Sequence, residues 1–212
     1  MNKDNVKNNA KVFFLSCVII IIGFIVAIIS NQIIGEWAFI PLAIVYWTTI
    51  FIVVSPKRDT LSKIISHNPI KLRYIAIAFI PVSFCIVSFV WGIQYIDGTI
   101  LIILWIVFAI INSFAEELYW RGYFLDIFKG NPVFKIFLST ILFSLSHMMW
   151  GVFSITIRSH IMIMPLLIMG LTWGYVYHKT RNLKWCIIAH FFVDIMTLSV
   201  WVFLNIYIPP VI

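Results

Sequence analysis

Six ionisable residues stand inside stretches otherwise apolar enough to span a bilayer. They are Glu116, Glu117 and Arg121 in FAEELYWRGYF, His147 in LFSLSHMMW, and His190 with Asp194 in AHFFVDIM. A charged side chain at membrane depth is costly; where one occurs it faces a bundle interior and marks a working site. Carboxylates that take a proton, imidazoles that hold or relay one, and a cation that fixes a carboxylate are the parts of a proton-transfer or hydrolytic centre.

The spacings assign different tasks to the two adjacent acids. Glu117 and Arg121 are four apart with the acid on the N-terminal side, the favourable orientation for an ion pair on one helical face. Glu116 is turned about 100° away and has no basic residue at its own i+3 or i+4 position. Glu117 is therefore expected to hold Arg121, leaving Glu116 for general-base work. His147 follows Phe143 by one turn, so an aromatic ring should pack beside the imidazole, and Glu and His together can hold and activate one water. His190 and Asp194 again share a face. Asp194 could orient the His190 ring, both could coordinate a metal, or both could surround an oxyanion. No HExxH occurs anywhere in the chain.

Positioning these groups is the task of a membrane bundle. Hydrophobic residues make up 62% of the 212 and charged residues 11%, well under the roughly 25% charged of a soluble domain. Apolar runs of spanning length recur near 12–34, 37–55, 73–96, 99–128, 133–155, 160–178 and 184–206. The expectation is an all-α, polytopic membrane protein of about seven transmembrane helices with a buried polar site. The first run is too long, and lacks a small-residue cleavage site, to be a removed signal peptide. Cys17, Cys85 and Cys186 lie in separate apolar runs and read as buried small hydrophobes. Gly170 and Gly174 read as close packing of the sixth helix, and Trp37, Trp91, Trp150 and Trp185 as interfacial anchors.

The net charge of +7 is carried by short segments between the runs, which argues for topology signals and lipid headgroups rather than nucleic acid. Lys3, Lys7 and Lys11 precede the first span; Lys57, Arg58, Lys63, Lys71 and Arg73 follow the second; Lys129 and Lys135 follow the fourth; Lys179, Arg181 and Lys184 follow the sixth. Seven spans put all of these on one side, so the N-terminus is expected inside and the C-terminus outside. Measured from that side along ideal helices, Glu116 lies roughly 18 Å deep, His147 roughly 20 Å, and His190 and Asp194 roughly 10–16 Å. That common level favours one shared site.

EELYWRG resembles the EExxxR motif of the CPBP family, which includes CAAX prenyl endopeptidases and bacteriocin-processing or bacteriocin-immunity proteins. Phe143 to His147 matches its FxxxH motif, and His190 to Asp194 its final HxxxN-type motif. The resemblance covers about 99–205. It implies a protease core over 99–205, preceded by three helices in 1–98 and followed by a short tail, 206–212. It further implies that Glu116 and His147 activate the attacking water. His190 and the residue at 194 would then stabilise the tetrahedral intermediate, with Glu117 and Arg121 in support. Position 194 departs from the prenyl-protein proteases, which carry Asn: an amide donates to an oxyanion, whereas an ionised Asp repels it.

The sequence thus points to an intramembrane endopeptidase of the cytoplasmic membrane. Its substrate would be a lipidated CAAX-type or hydrophobic, bacteriocin-like peptide or protein, reaching the site from the cytoplasmic half. No cofactor is required in this reading. The alternative is a divalent metal such as zinc on His147, His190 and Asp194. The rival functions are a non-catalytic immunity or scaffold protein of the same family and a proton-coupled transporter, for which the outer halves of the helices supply few polar residues.

Overall fold

The computed structural model describes residues 3–55, 69–95 and 98–197. Lys57, Arg58, Lys63 and the tail 206–212 lie outside them. The described residues are helical almost throughout, and a helical stretch stands at each of the seven expected places. They are α1 (Lys3–Ile34), α2 (Phe39–Val54), the pair α3 (Leu72–Ala78) and α4 (Ile80–Gly92), α5 (Thr99–Glu116) with its continuation to Ile127, α7 (Pro132–His147), α9 (Ile163–Thr180) and α10 (Lys184–Met196). Among the described residues, three stretches are long and apolar enough to cross a membrane: Lys3–Val54, Thr99–Ile127 and Pro132–Val152. The bent pair α3 and α4 makes a fourth if it is one span. Within the first stretch, α1 and α2 fold back on each other through the turn Gly35–Ala38, where Gly35 takes a φ of +59°.

Two departures from regular helix matter for the site. Pro81 lacks the N–H that would bond Ile77, and the chain bends by 42° between α3 and α4. The bend leaves the Ala78 carbonyl to accept the indole N–H of Trp173 at 2.9 Å. The second departure is a π-helical segment, Glu117–Tyr123, which joins α5 to α6 (Phe124–Ile127). Its seven residues are all buried, so this stretch runs through the middle of the bundle. Such wide turns are rare and recur at functional sites.

The fifth apolar run does not stay one helix to residue 155. α7 ends at His147, and the chain continues through a turn at Trp150–Val152, the short α8 (Ile155–Arg158) and a turn at His160–Met162. Trp150, expected at the interface, is 3% exposed and lies in the interior. Outward faces are apolar instead: Ile21, Ile25, Val87, Ile103 and Phe137 are all exposed. A surface of that kind suits lipid rather than water. α9 packs on α7 at its two glycines, where an added Cβ would lie within 2.8 Å of Thr140 Oγ1 at Gly170 and 2.9 Å from Ile136 Cγ2 at Gly174.

The described basic segments gather at one end. The Asn9 side chain donates to the Lys129 carbonyl and accepts from the Lys129 N–H, both at 2.7 Å. Arg181 meets Asp126 at 2.8 Å, and Lys135 Nζ donates to the Leu125 carbonyl at 2.7 Å.

Candidate active site

Glu116 is the last residue of α5 and Glu117 the first of the π segment, so the two acids leave the helix where its winding changes. Both are 0% exposed. Glu117 Oε1 accepts from Arg121 Nη1 at 2.8 Å, as the spacing suggested, and also from His190 Nδ1 at 2.9 Å. The Arg121 guanidinium lies over the rings of Phe143 and Trp173, at 4.4 and 5.2 Å from their centroids. A buried cation is thus held by one carboxylate and two aromatic faces.

Glu116 is not left without partners. Its Oε1 accepts from the Tyr46 hydroxyl at 2.8 Å, and Trp120 Nε1 donates to the same hydroxyl at 3.2 Å. Its Oε2 is buried with no hydrogen-bond partner among the described residues, and faces two imidazoles: His147 Nε2 at 3.8 Å and His190 Nε2 at 3.6 Å. Both rings are fixed from behind. His147 Nδ1 lies 2.9 Å from the Phe143 carbonyl, which can only accept, so that nitrogen carries the proton. The Phe143 ring packs edge-on against the imidazole at 4.5 Å. His190 Nδ1 donates to Glu117, and Trp173 stacks on the ring at 4.6 Å between centroids. With Nδ1 bonded in this way, each ring turns its Nε2 toward Glu116 Oε2, as a lone pair where the imidazole is neutral.

Asp194 approaches the other nitrogen of the His190 ring. The gap from its Oδ1 to His190 Nε2 is 3.7 Å, while the ring is already held by Glu117. Asp194 Oδ2 instead accepts from Asn112 Nδ2 at 3.2 Å, and Asn112 Oδ1 accepts from Trp47 Nε1 at 3.1 Å. Glu116, His147, His190 and Asp194 therefore converge from three helices, with Glu117 and Arg121 behind them. Tyr46, Trp47 and Asn112 complete the arrangement and were not singled out from the sequence. Asn112 did carry a signal, a polar residue one turn before Glu116 in an apolar run. Tyr46 and Trp47 carried none, because nothing local ties α2 to α5.

A cavity of about 180 Å³ adjoins the group, lined by Asn112, His147, His190 and Asp194 at the polar end and by such residues as Phe84 and Trp150 beyond. On α5, α9 and α10 the lining residues lie on the part of each helix away from the basic end. The space thus extends opposite to the side from which substrate was expected. Among the described residues, no group of three His, Cys, Asp or Glu side chains is disposed to hold a metal ion.

Residues 97–196 match a family model described as Type II CAAX prenyl endopeptidase Rce1-like. No curated protein and no solved structure matches the chain.

Proposed function

Residues 97–196 belong to the type II CAAX prenyl endopeptidase, Rce1-like family, a family of peptidases, and on that premise we propose that this chain is an intramembrane endopeptidase acting through a Glu116-activated water. The observation that carries the reading is the meeting of Glu116 Oε2 with the Nε2 atoms of His147 and His190, at 3.8 and 3.6 Å, beside an apolar cavity. Separations of that size leave room for one water to bond to the carboxylate and an imidazole together.

In this mechanism the water gives a proton to Glu116 while its oxygen adds to the scissile carbonyl carbon. His147, which can only accept at Nε2 in its bonded tautomer, orients the water. Tyr46 holds the other carboxylate oxygen and so aims Oε2 at the water. The tetrahedral intermediate collapses with cleavage of the C–N bond, and the proton on Glu116 passes to the departing amine. No step of this reading is routed through a metal.

The substrate would be a prenylated or otherwise hydrophobic peptide segment, its apolar part lying against Phe84, Phe108, Ile157 and Leu166. We read the chain as seven spans in the cytoplasmic membrane, with the N-terminus inside, the C-terminus outside and the protease core over 99–205. The gathering of Lys129, Lys135 and Arg181 with the start of α1 at one end supports that topology. The substrate then meets the site from the half of the bilayer away from the basic loops.

The test is purified wild type beside Glu116→Gln, offered lipidated and hydrophobic peptides, with products read by mass spectrometry with and without chelator. Cleavage by wild type alone, undiminished by chelator, is expected. Loss on chelation would assign the chemistry to a metal. Equal behaviour of the two proteins would turn the reading to a non-catalytic immunity or scaffold protein.

A further inference from the structure

Hydrolysis of a peptide bond needs a donor for the carbonyl oxygen as it takes up negative charge. The two groups nearest to hand are poorly suited. An ionised Asp194 has only acceptors, and a neutral His190, with its proton on Nδ1 for Glu117, presents a lone pair at Nε2. Asn112 differs in both respects. Trp47 Nε1 can only donate, so the Asn112 oxygen must be the atom that receives it, and the amide nitrogen must point the other way. One Nδ2 hydrogen goes to Asp194 Oδ2 at 3.2 Å. The side chain lines the cavity with His147, His190 and Asp194. Asn112 also stands one turn before Glu116, so their Cβ atoms share a face of α5 at about 5–6 Å, space for a water on the base and a carbonyl on the amide.

We propose that Asn112 donates its second amide hydrogen to the scissile carbonyl oxygen in the transition state, and that Trp47 fixes the amide for this task. The donor is neutral, and its direction does not depend on the protonation of His190 or Asp194. Asp194 acts here as an acceptor that holds the amide rather than as the stabiliser itself. As the water oxygen bonds to the carbonyl carbon and its proton moves to Glu116, the carbonyl π electrons move to the oxygen facing Asn112. They return when the C–N bond breaks. The proposal rests on the peptidase reading above.

The experiment compares wild type, Asn112→Leu and Trp47→Phe on one cleaved peptide and on the same peptide with a thiocarbonyl at the scissile bond. Sulfur is a weak acceptor, so a donor to that atom is registered as a difference between the two substrates. Asn112→Leu is expected to lose about 10²–10³-fold in kcat with KM within about threefold, the loss typical of one missing oxyanion donor. Its oxygen-to-sulfur rate ratio should fall toward one. Trp47→Phe keeps a ring against Phe108, now 5.3 Å from Trp47, but releases the amide; the same ratio should fall part of the way. An unchanged ratio in both variants, even with slower turnover, overturns the proposal and leaves Asn112 a packing residue. Should Asn112→Leu fail to reach the membrane, the ratio in Trp47→Phe decides. A wild type that cleaves nothing overturns the peptidase reading itself, and this inference with it.

Discussion

His190 Nδ1 donates to Glu117 Oε1 at 2.9 Å, whereas Asp194 Oδ1 stands 3.7 Å from the other nitrogen of the same ring. The residue that sets the histidine is thus the second glutamate of the adjacent pair, on another helix. Because the same oxygen also receives Arg121, one carboxylate ties the cation to the ring. Disturbing Arg121 must therefore reach His190 through Glu117.

Arg121→Ala should damage the fold before it damages chemistry. It strands the Glu117 charge in the interior, a loss of about 3–5 kcal/mol for a broken buried pair. Membrane abundance and thermal midpoint in detergent should both fall, while Glu116→Gln, which keeps the shape of its side chain, should leave both near wild type. Equal abundance of the two variants would contradict the assignment.

Tyr46→Phe removes the hydroxyl that holds Glu116 Oε1 and leaves the ring packed against Trp150. A hydrogen bond to a charged group contributes about 1.5–3 kcal/mol, so turnover should drop about 10- to 100-fold with little change in KM. Steady-state kinetics on a cleaved peptide would measure the split.

Ser88→Trp should fill the cavity beyond the polar group, since Ser88 lines it with Phe84 and Pro165. Peptides with bulky apolar or lipidated positions are expected to show a KM raised at least tenfold, and short polar ones to be affected far less. A uniform effect across the series would place substrate elsewhere.

Gly170→Ala tests the bundle rather than the site. The new methyl would run into Thr140 on α7, and overpacking of this kind costs about 1–3 kcal/mol. A lower thermal midpoint is expected, restored in part by Thr140→Ala or Thr140→Gly, which make room.

Much of the arrangement was legible because it is local. Hydropathy marks the helical stretches, and the i, i+4 spacing brings Glu117 to Arg121 even though the segment winds as a π-helix. The Phe143 ring beside His147 follows from the same spacing. Which partner each polar group takes across helices was not legible. His190 and Asp194 share a face as expected, yet His190 turns to Glu117 and Asp194 accepts from Asn112. A run of apolar residues hid the end of α7 at His147, because the turns that follow are as hydrophobic as the helix.

By itself, then, the sequence determined that the chain is helical, that its exterior is apolar and that the ionisable residues within its apolar runs must be buried together. Burying a lone charge in lipid is too costly to allow otherwise. Only the tertiary structure decided which atom each charge bonds. Tyr46 on Glu116, Trp47 on Asn112 and Glu117 on His190 are contacts between helices 65 to 73 residues apart. They depend on the rotation and depth at which packed helices meet, and no spacing along the chain encodes that.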